Sequence, residues 1–479
     1  MISKTQEIVD MEKREPCECP KDSENFSSGD ESGNDGNKIS VPDGGFGWFV
    51  VIAYFFYNFT TWGANAGYAI YLAHYLEYNT FPGGGKLDYA AIGGLAFGCG
   101  LIFSPVLTLL THKTSVQFVI GLGIVLQGAA LLLAAFSKKL WQIYLTQGLL
   151  ISFGLAAICI PSVTLLPQWF RKKRSLAMGL GASGSGLGGI VFNLGMQKMI
   201  EVHSVKWALI AQCIICTALS TLALFLTRTR TNEIQSNSKQ GSHMFDSEVL
   251  RSAGFWLLVL YVCFTMVGYV VLLYSLSAFT VSLGYSENQG SIVSCMISVG
   301  ALFGRPVVGL IADHFGPVTV TMFVHLIVAI FCWAMWIPCR NFATALLFAL
   351  IVGSLMGSIW PLVAPMMTRV VGLPKLSVTF GMVWVALGIF AIVSPIFGLE
   401  LRTTSSTESN NYVKTAILSG FGYFGSALSM WILRGFLAAR DDVALEAKTG
   451  FDDGELHLHV GFTEWMRGLF KFRGLSRKI

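Results

Sequence analysis

The sequence predicts an all-α, polytopic membrane protein of about twelve transmembrane helices arranged as two six-helix bundles. Three observations predict it. The chain has 479 residues, 53% of them hydrophobic before its 51 glycines are counted, well above the share in soluble chains. Its 33 basic and 28 acidic side chains crowd the ends: 16 fall in residues 1–46 and 14 in 439–479, leaving 31 for the 392 between. From residue 47 onward, apolar stretches of about 20 residues alternate with short polar connections, the spacing that a ~30 Å hydrocarbon core demands of helices. Such a middle has too little polar surface to face water. A soluble enzyme, a disordered protein, a secreted disulfide scaffold and a nucleic-acid binder are all excluded, and the lipid bilayer is the expected surrounding.

The elements follow in order. Residues 1–46 hold five basic and eleven acidic residues in a Ser-, Gly- and Asn-rich stretch, which predicts a disordered acidic tail; the stretch has no apolar h-region, so no cleavable signal peptide is expected in it. Spans are expected near 48–73, 90–110, 116–136, 141–166, 175–197 and 207–227, forming an N-terminal bundle over 47–227. Residues 228–252 are the longest polar interval and read as a linker. Spans near 254–278, 290–312, 318–337, 342–367, 378–399 and 413–436 then form a C-terminal bundle over 253–438. The tail 439–479 places Phe462, Trp465, Met466, Leu469 and Phe470 at helical spacing with Arg467, Lys471 and Arg473 between them, an amphipathic basic helix suited to a membrane surface. With the N-terminus inside, twelve Lys and Arg of the connections fall on the inner side against eight outside. The run Arg171-Lys172-Lys173-Arg174 weighs most in that balance, so both termini are expected to be cytoplasmic.

Span five contains Gly179-x-Gly181-x-x-Gly184. No strand pattern precedes it, so helix–helix packing through small residues, not phosphate binding, is expected. Cys213-x-x-Cys216 lies alone in an apolar span, and His457 and His459 alternate with Leu; neither supplies a metal-ligand set. No metal and no cofactor are expected.

Arg305 carries the functional argument. It lies inside the apolar stretch VSCMISVGALFGRPVVGLIA, where a charge costs about 2.5–3.5 kcal/mol or more. A charge tolerated there normally faces a wet cavity, and a guanidinium can hold a carboxylate through two parallel hydrogen bonds. Snorkelling to the interface, or pairing with Asp313 two turns away, is the alternative. The remaining polar groups of the spans are mostly uncharged: Tyr57, Asn58, Asn65, Tyr68 and Tyr71 in span one, Asn193 in span five, and Tyr269, Tyr274, Ser298, Trp360 and Trp384 later. Arg305, Asn65, Tyr68, Asn193 and Trp360 are the expected substrate-binding set, suited to a small planar solute that is neutral or singly anionic.

Gly309-x-x-x-Asp313-His314-Phe315-Gly316 joins spans eight and nine. It resembles the inter-helix loop motif of the major facilitator superfamily, which implies conformational roles for Gly309, Asp313 and Gly316. The first half echoes it at a constant offset of 201 residues, with Ser104-Pro105, Thr108 and His112 standing where Arg305-Pro306, Gly309 and Asp313 stand. Asp43-Gly44-Gly45-Phe46-Gly47-Trp48 and the stretch WFRKKRSLAMG from Trp169 resemble the two signatures of the monocarboxylate transporter family. The likeness, over roughly 41–440, is nearest to the fungal branch, the budding-yeast monocarboxylate-transporter homologues. It implies alternating-access transport, with an Arg-Pro such as Arg305-Pro306 implicated in anion binding. The proton-coupled members carry an Asp four residues before that Arg and a Lys in the first span; here Ala301 and Ala66 stand there. His74 and His112 lie near span ends.

The expected function is therefore secondary transport of a small organic solute, by facilitated diffusion or exchange. Proton-coupled monocarboxylate symport and a non-transporting nutrient sensor are the alternatives. The plasma membrane is the expected location, with the vacuolar membrane second.

Overall fold

Where water is absent, each backbone N–H and C=O must find a partner within its own segment, and among the described residues every regular element is helical. The computed structural model describes residues 43–78, 80–230, 244–401, 412–446 and 461–471, all within the unit Val41–Ile479. Residues 1–42 of the expected acidic tail, 231–243 of the linker, and His457 and His459 lie outside the described residues.

Twelve helical columns cross the structure: α1 (47–77), α2 (86–113), α3 (Val116–Ala135), α4 (Leu140–Gln168), α5 (Arg174–Val202), α6 (Val205–Leu226), α7 (Ala253–Ser282), α8 (Glu287–Phe315), α9 (Pro317–Trp336), α10 (Phe342–Val371), α11 (Leu376–Glu400) and α12 (Val413–Glu446). Ten are long and apolar enough to span a membrane, and α2, two helices bent by 45°, makes eleven. The twelfth, α1, widens to a π-helix at Phe59–Gly63 and breaks at Gly67, which divides its apolar run. Asp43 bonds Arg171 in the corner before α5, Arg174 of that corner bonds Thr368, and the adjacent Arg369 pairs with Asp441 near the end of α12, so these ends share one side, here called the terminal face.

Two features of the halves differ from the sequence expectation. The internal echo is not a structural copy at its proline: α2 breaks at Phe103, before Ser104-Pro105, whereas α8 continues unbroken through Arg305-Pro306. The last span runs to Glu446, not 436, so the boundary at 438 falls inside a helix. The charges that look like a helix end are satisfied where they lie. Arg440 donates to the carbonyls of Arg369 and Val370 at 2.7 and 3.0 Å, Asp441 pairs with Arg369, and Arg434 donates to Thr319 Oγ1 and Lys471 O. The tail helix α13 (Phe462–Leu469) lays Trp465 and Leu469 against α12, with Trp431 Nε1 donating to Leu469 O and Trp465 Nε1 to Ile432 O, each at 3.1 Å. Phe462 and Met466 of α13 are left exposed, while Phe470, just past its end, meets Trp431 of α12 edge-on at 5.7 Å. Within the linker, Ser247–Arg251 forms a short helix capped by Asp246.

The halves meet along two seams, α5 against α8 and α2 against α11. Both need glycine because the backbones nearly touch. A Cβ on Gly179 would stand 2.5 Å from Arg305 O, one on Gly186 2.7 Å from Leu302 N, and one on Gly98 2.5 Å from Gly388 O. Gly184 presses instead on the Phe55 carbonyl of α1. The glycine-rich run of span five is thus a two-sided contact surface, as small residues in membrane helices permit.

Candidate functional site

At the terminal face, the corner before α5 is held by two carboxylates from opposite halves. Asp43 Oδ1 accepts the N–H groups of Arg171 and Lys172, the latter at 2.6 Å. Asp313, near the end of α8, accepts the Ser175 and Leu176 N–H groups at 2.8 and 2.9 Å. The Ser175 and Leu176 groups are orphan donors of the α5 N-terminus, where a negative charge is also favoured by the helix dipole, and Arg171 and Lys172 lie in the turn just before its N-cap, Lys173. Asp43 therefore serves the entrance of α5 across the bundle; α1 itself has no side-chain cap. The two signature stretches are folded onto one another, with Trp48 against Phe170 at 5.1 Å and Phe46 against Trp169 at 5.9 Å. Gly309 brings α8 against the Ser175 carbonyl, and Gly316 ends α8 with φ 95°. Arg174 adds a further tie between halves, donating to Thr368 Oγ1 of α10 at 2.6 Å.

Arg305 lies ten residues, about 15 Å of helix, above the end of α8. It does not pair with Asp313 and it does not snorkel. Its side chain turns inward and only 5% of the residue is exposed. Nη1 donates to Ala182 O of α5 at 2.7 Å and to Ser185 Oγ, while Nε is buried without a hydrogen-bond partner. The guanidinium rests on Gly357 of α10, so close that a Cβ there would lie 3.0 Å from Nη2. Gly357 and Ser358 are where α10 breaks, between Phe342–Met356 and Ile359–Val371.

Beside this guanidinium is a cavity of about 120 Å³, room for several waters. All five expected substrate-binding residues line it: Asn65 and Tyr68 of α1, Asn193 of α5, Arg305 of α8 and Trp360 of α10. Tyr269, Tyr274 and Ser298 line it too. The α8 residues at its wall, Ser294 to Arg305, all lie on the far side of Arg305 from Asp313, so the chamber sits above the clasped terminal face. Ala66 and Ala301 also face it. These are the two positions at which resemblance would place a Lys and an Asp, leaving Arg305 as the cation of the wall.

An aromatic row forms one side. Phe97 meets Trp62 at 4.8 Å, Trp62 meets Trp360 at 5.0 Å, and Trp384 stacks behind Trp360 at 5.8 Å. Trp384 is thus a backing residue, not a wall residue. Tyr57, Asn58 and Tyr71 are turned away: they bond Thr227 Oγ1, Tyr54 O and Gln212 Oε1 at 2.8, 2.8 and 2.7 Å. Tyr68 donates to Tyr89 O at 3.1 Å and Asn193 to Gly189 O at 2.6 Å, which orients both at the rim. Trp62, Phe97 and Ser185 escaped the sequence reading; in an apolar span an aromatic that lines a cavity has the same local pattern as one that packs.

Comparison with known proteins accords with this geometry. Residues 50–395 match the model of the Major Facilitator Superfamily. The chain is 60% identical over 451 residues to "Probable transporter MCH2" of Saccharomyces cerevisiae, covering 94% of this chain and 95% of that protein. It is 32% identical to "Uncharacterized transporter ESBP6" of the same yeast, over 82% of this chain and 59% of that one. Its fold is similar to the outward conformation of FucP, a Major Facilitator Superfamily transporter of E. coli, with a TM-score of 0.61 at 15% identity, over 80% of this chain and 98% of that one. The chain belongs to the Major Facilitator Superfamily, a family of membrane transporters and not of enzymes.

Proposed function

We propose that the protein is a secondary carrier for a small organic solute, a monocarboxylate-like anion or a neutral planar molecule, which it moves by alternating access. The observation that carries this reading is the buried guanidinium of Arg305, with Nε unpartnered, at the wall of a chamber between the halves. A carboxylate there would gain charge-assisted hydrogen bonds in a low-dielectric site, and a planar body would lie along Trp62 and Trp360. Asp313, Gly309 and Gly316 form the clasp that opens when the halves rock. The exposed basic residues Arg171, Lys172 and Lys173 suit an anionic inner leaflet, so both termini are cytoplasmic and the plasma membrane is the expected site.

Because Ala66 and Ala301 face the chamber, facilitated diffusion or exchange is the mode that the wall itself supports. Uptake of labelled lactate and benzoate into vesicles containing the purified protein tests the reading. Flux above protein-free vesicles that is lost in Arg305→Ala is expected. Binding without flux would identify a sensor instead.

A further inference from the structure

The first helix is held open at one turn by a group that lies outside the chamber. Between Phe59 and Gly63, α1 widens to a π turn, which takes one residue more than an α turn and so leaves one carbonyl without its usual backbone N–H. Inside a bilayer that carbonyl must find another donor. Two side chains of neighbouring helices converge on Thr60 O: Gln127 Nε2 of α3 at 2.6 Å, and the thiol of Cys216 of α6, a weak donor, at 3.5 Å. Gln127 is itself 3% exposed, and an amide so deep in an apolar helix is costly unless it is hydrogen-bonded.

The surroundings make room for the wide turn without replacing that donor. Thr60 Oγ1 donates to Phe56 O at 2.9 Å and meets Ser220 Oγ of α6 at 2.7 Å. On the α5 side two glycines face one another: a Cβ on Gly63 would stand 2.7 Å from Gly188 Cα, and one on Gly188 2.5 Å from Phe59 O. What the turn carries is the chamber wall. Trp62 lies within it, and Asn65, Ala66 and Tyr68 follow it. Below the turn α1 is pinned, with Gly184 of α5 pressed on the Phe55 carbonyl and Tyr57 bonded to Thr227. Closing the turn to α geometry would therefore rotate the upper part of α1, by about the 100° that one residue occupies in an α-helix. Asn65 would leave the wall, and position 64 would take its direction.

We propose that Gln127 is a positioning residue of the solute site: it holds the Thr60 carbonyl, keeps the π turn of α1 open, and so sets Trp62, Asn65 and Tyr68 on the chamber wall. The proposal rests on the reading of that chamber as the place where the solute docks. Gln127 does not line the cavity, so it acts on the solute only through α1. Its amide supplies what the glycine pair and the threonine hydroxyls cannot, a strong donor to the one carbonyl that the extra residue displaces.

Thiol labelling tests this without any solute. The full chain in lipid nanodiscs carries Asn65→Cys or Ala64→Cys, and reaction with a small water-soluble methanethiosulfonate is read peptide by peptide by mass spectrometry, which separates the new thiol from the native ones. With Gln127 in place, a cysteine at 65 is expected to react, and one at 64, where Ala64 is 4% exposed, to stay protected. Gln127→Met, similar in size but without a donor, is expected to slow labelling at 65 several-fold and to speed it at 64. Gln127→Glu, whose protonated form keeps a donor at the same reach, is expected to preserve the natural pattern. Gln127→Asn, one methylene short, takes the place of Gln127→Met if that variant does not insert. A pattern unmoved by loss of the donor, or lost equally in Gln127→Glu, overturns the proposal. Benzoate uptake by the same Gln127 variants without the introduced cysteines completes the test: Gln127→Met is expected to raise KM several-fold with little change in kcat. A shifted labelling pattern with an unmoved KM overturns the link to the solute site. If the natural chain takes up no benzoate, it is the reading of the chamber that fails, and the labelling alone decides for or against Gln127.

Discussion

The chemistry of the chamber converges on Arg305, and at that scale the account is most exposed to substitution. A lysine keeps the charge but loses the planar fork. Since hydrogen bonds to charged groups contribute about 1.5–3 kcal/mol, Arg305→Lys is expected to weaken solute affinity roughly tenfold or more, and Arg305→Ala to abolish transport, both read as initial uptake in vesicles. Gly357→Ala is a sharper test. The added methyl would stand 3.0 Å from Nη2 and displace the guanidinium without changing any charge. KM is expected to rise several-fold at unchanged expression. An unaltered KM would mean that the guanidinium does not rest on Gly357 during transport. Arg305 was legible in the sequence because one charge in an apolar run is conspicuous. Gln127 was not, since its partner Thr60 lies 67 residues away in the chain and nothing in GIVLQGAAL distinguishes a bonded amide from an isolated one.

At the scale of elements, hydropathy over about 20 residues located the spans, because the bilayer imposes one length on every column. It did not locate the breaks. Gly67 in α1, Phe103 in α2 and Gly357–Ser358 in α10 interrupt helices whose composition stays apolar throughout, and the extension of α12 to Glu446 depends on partners in α10 and the tail. Nor did it show that Asp43 crosses to the entrance of α5. That corner supports a prediction of its own. In Asp313→Asn one acceptor oxygen becomes a donor that faces a backbone N–H, so the grip on Ser175 and Leu176 loosens. Hydrogen exchange at the amides of 171–176 is expected to accelerate at least several-fold, with α2 and α11 unaffected. Unchanged exchange would remove Asp313 from the clasp. A wedge should act differently: Gly309→Leu would overlap the Ser175 carbonyl, and inserted protein that transports little is the expected result.

For the molecule as a whole, two six-helix halves meet along glycine-lined seams, are clasped at the terminal face, and hold a chamber above that clasp. Close backbone contact at Gly98, Gly179 and Gly186 lets the seams slide without side chains interlocking, and a closed face opposite a chamber is one of the two states that alternating access requires. The measurement that tests this most directly is counterflow in vesicles. Vesicles loaded with unlabelled benzoate and diluted into trace labelled benzoate are expected to accumulate the label transiently above equilibrium, and vesicles with Arg305→Ala are not. Label that never exceeds equilibrium with the natural chain, or an overshoot undiminished in Arg305→Ala, would contradict a carrier built around that guanidinium.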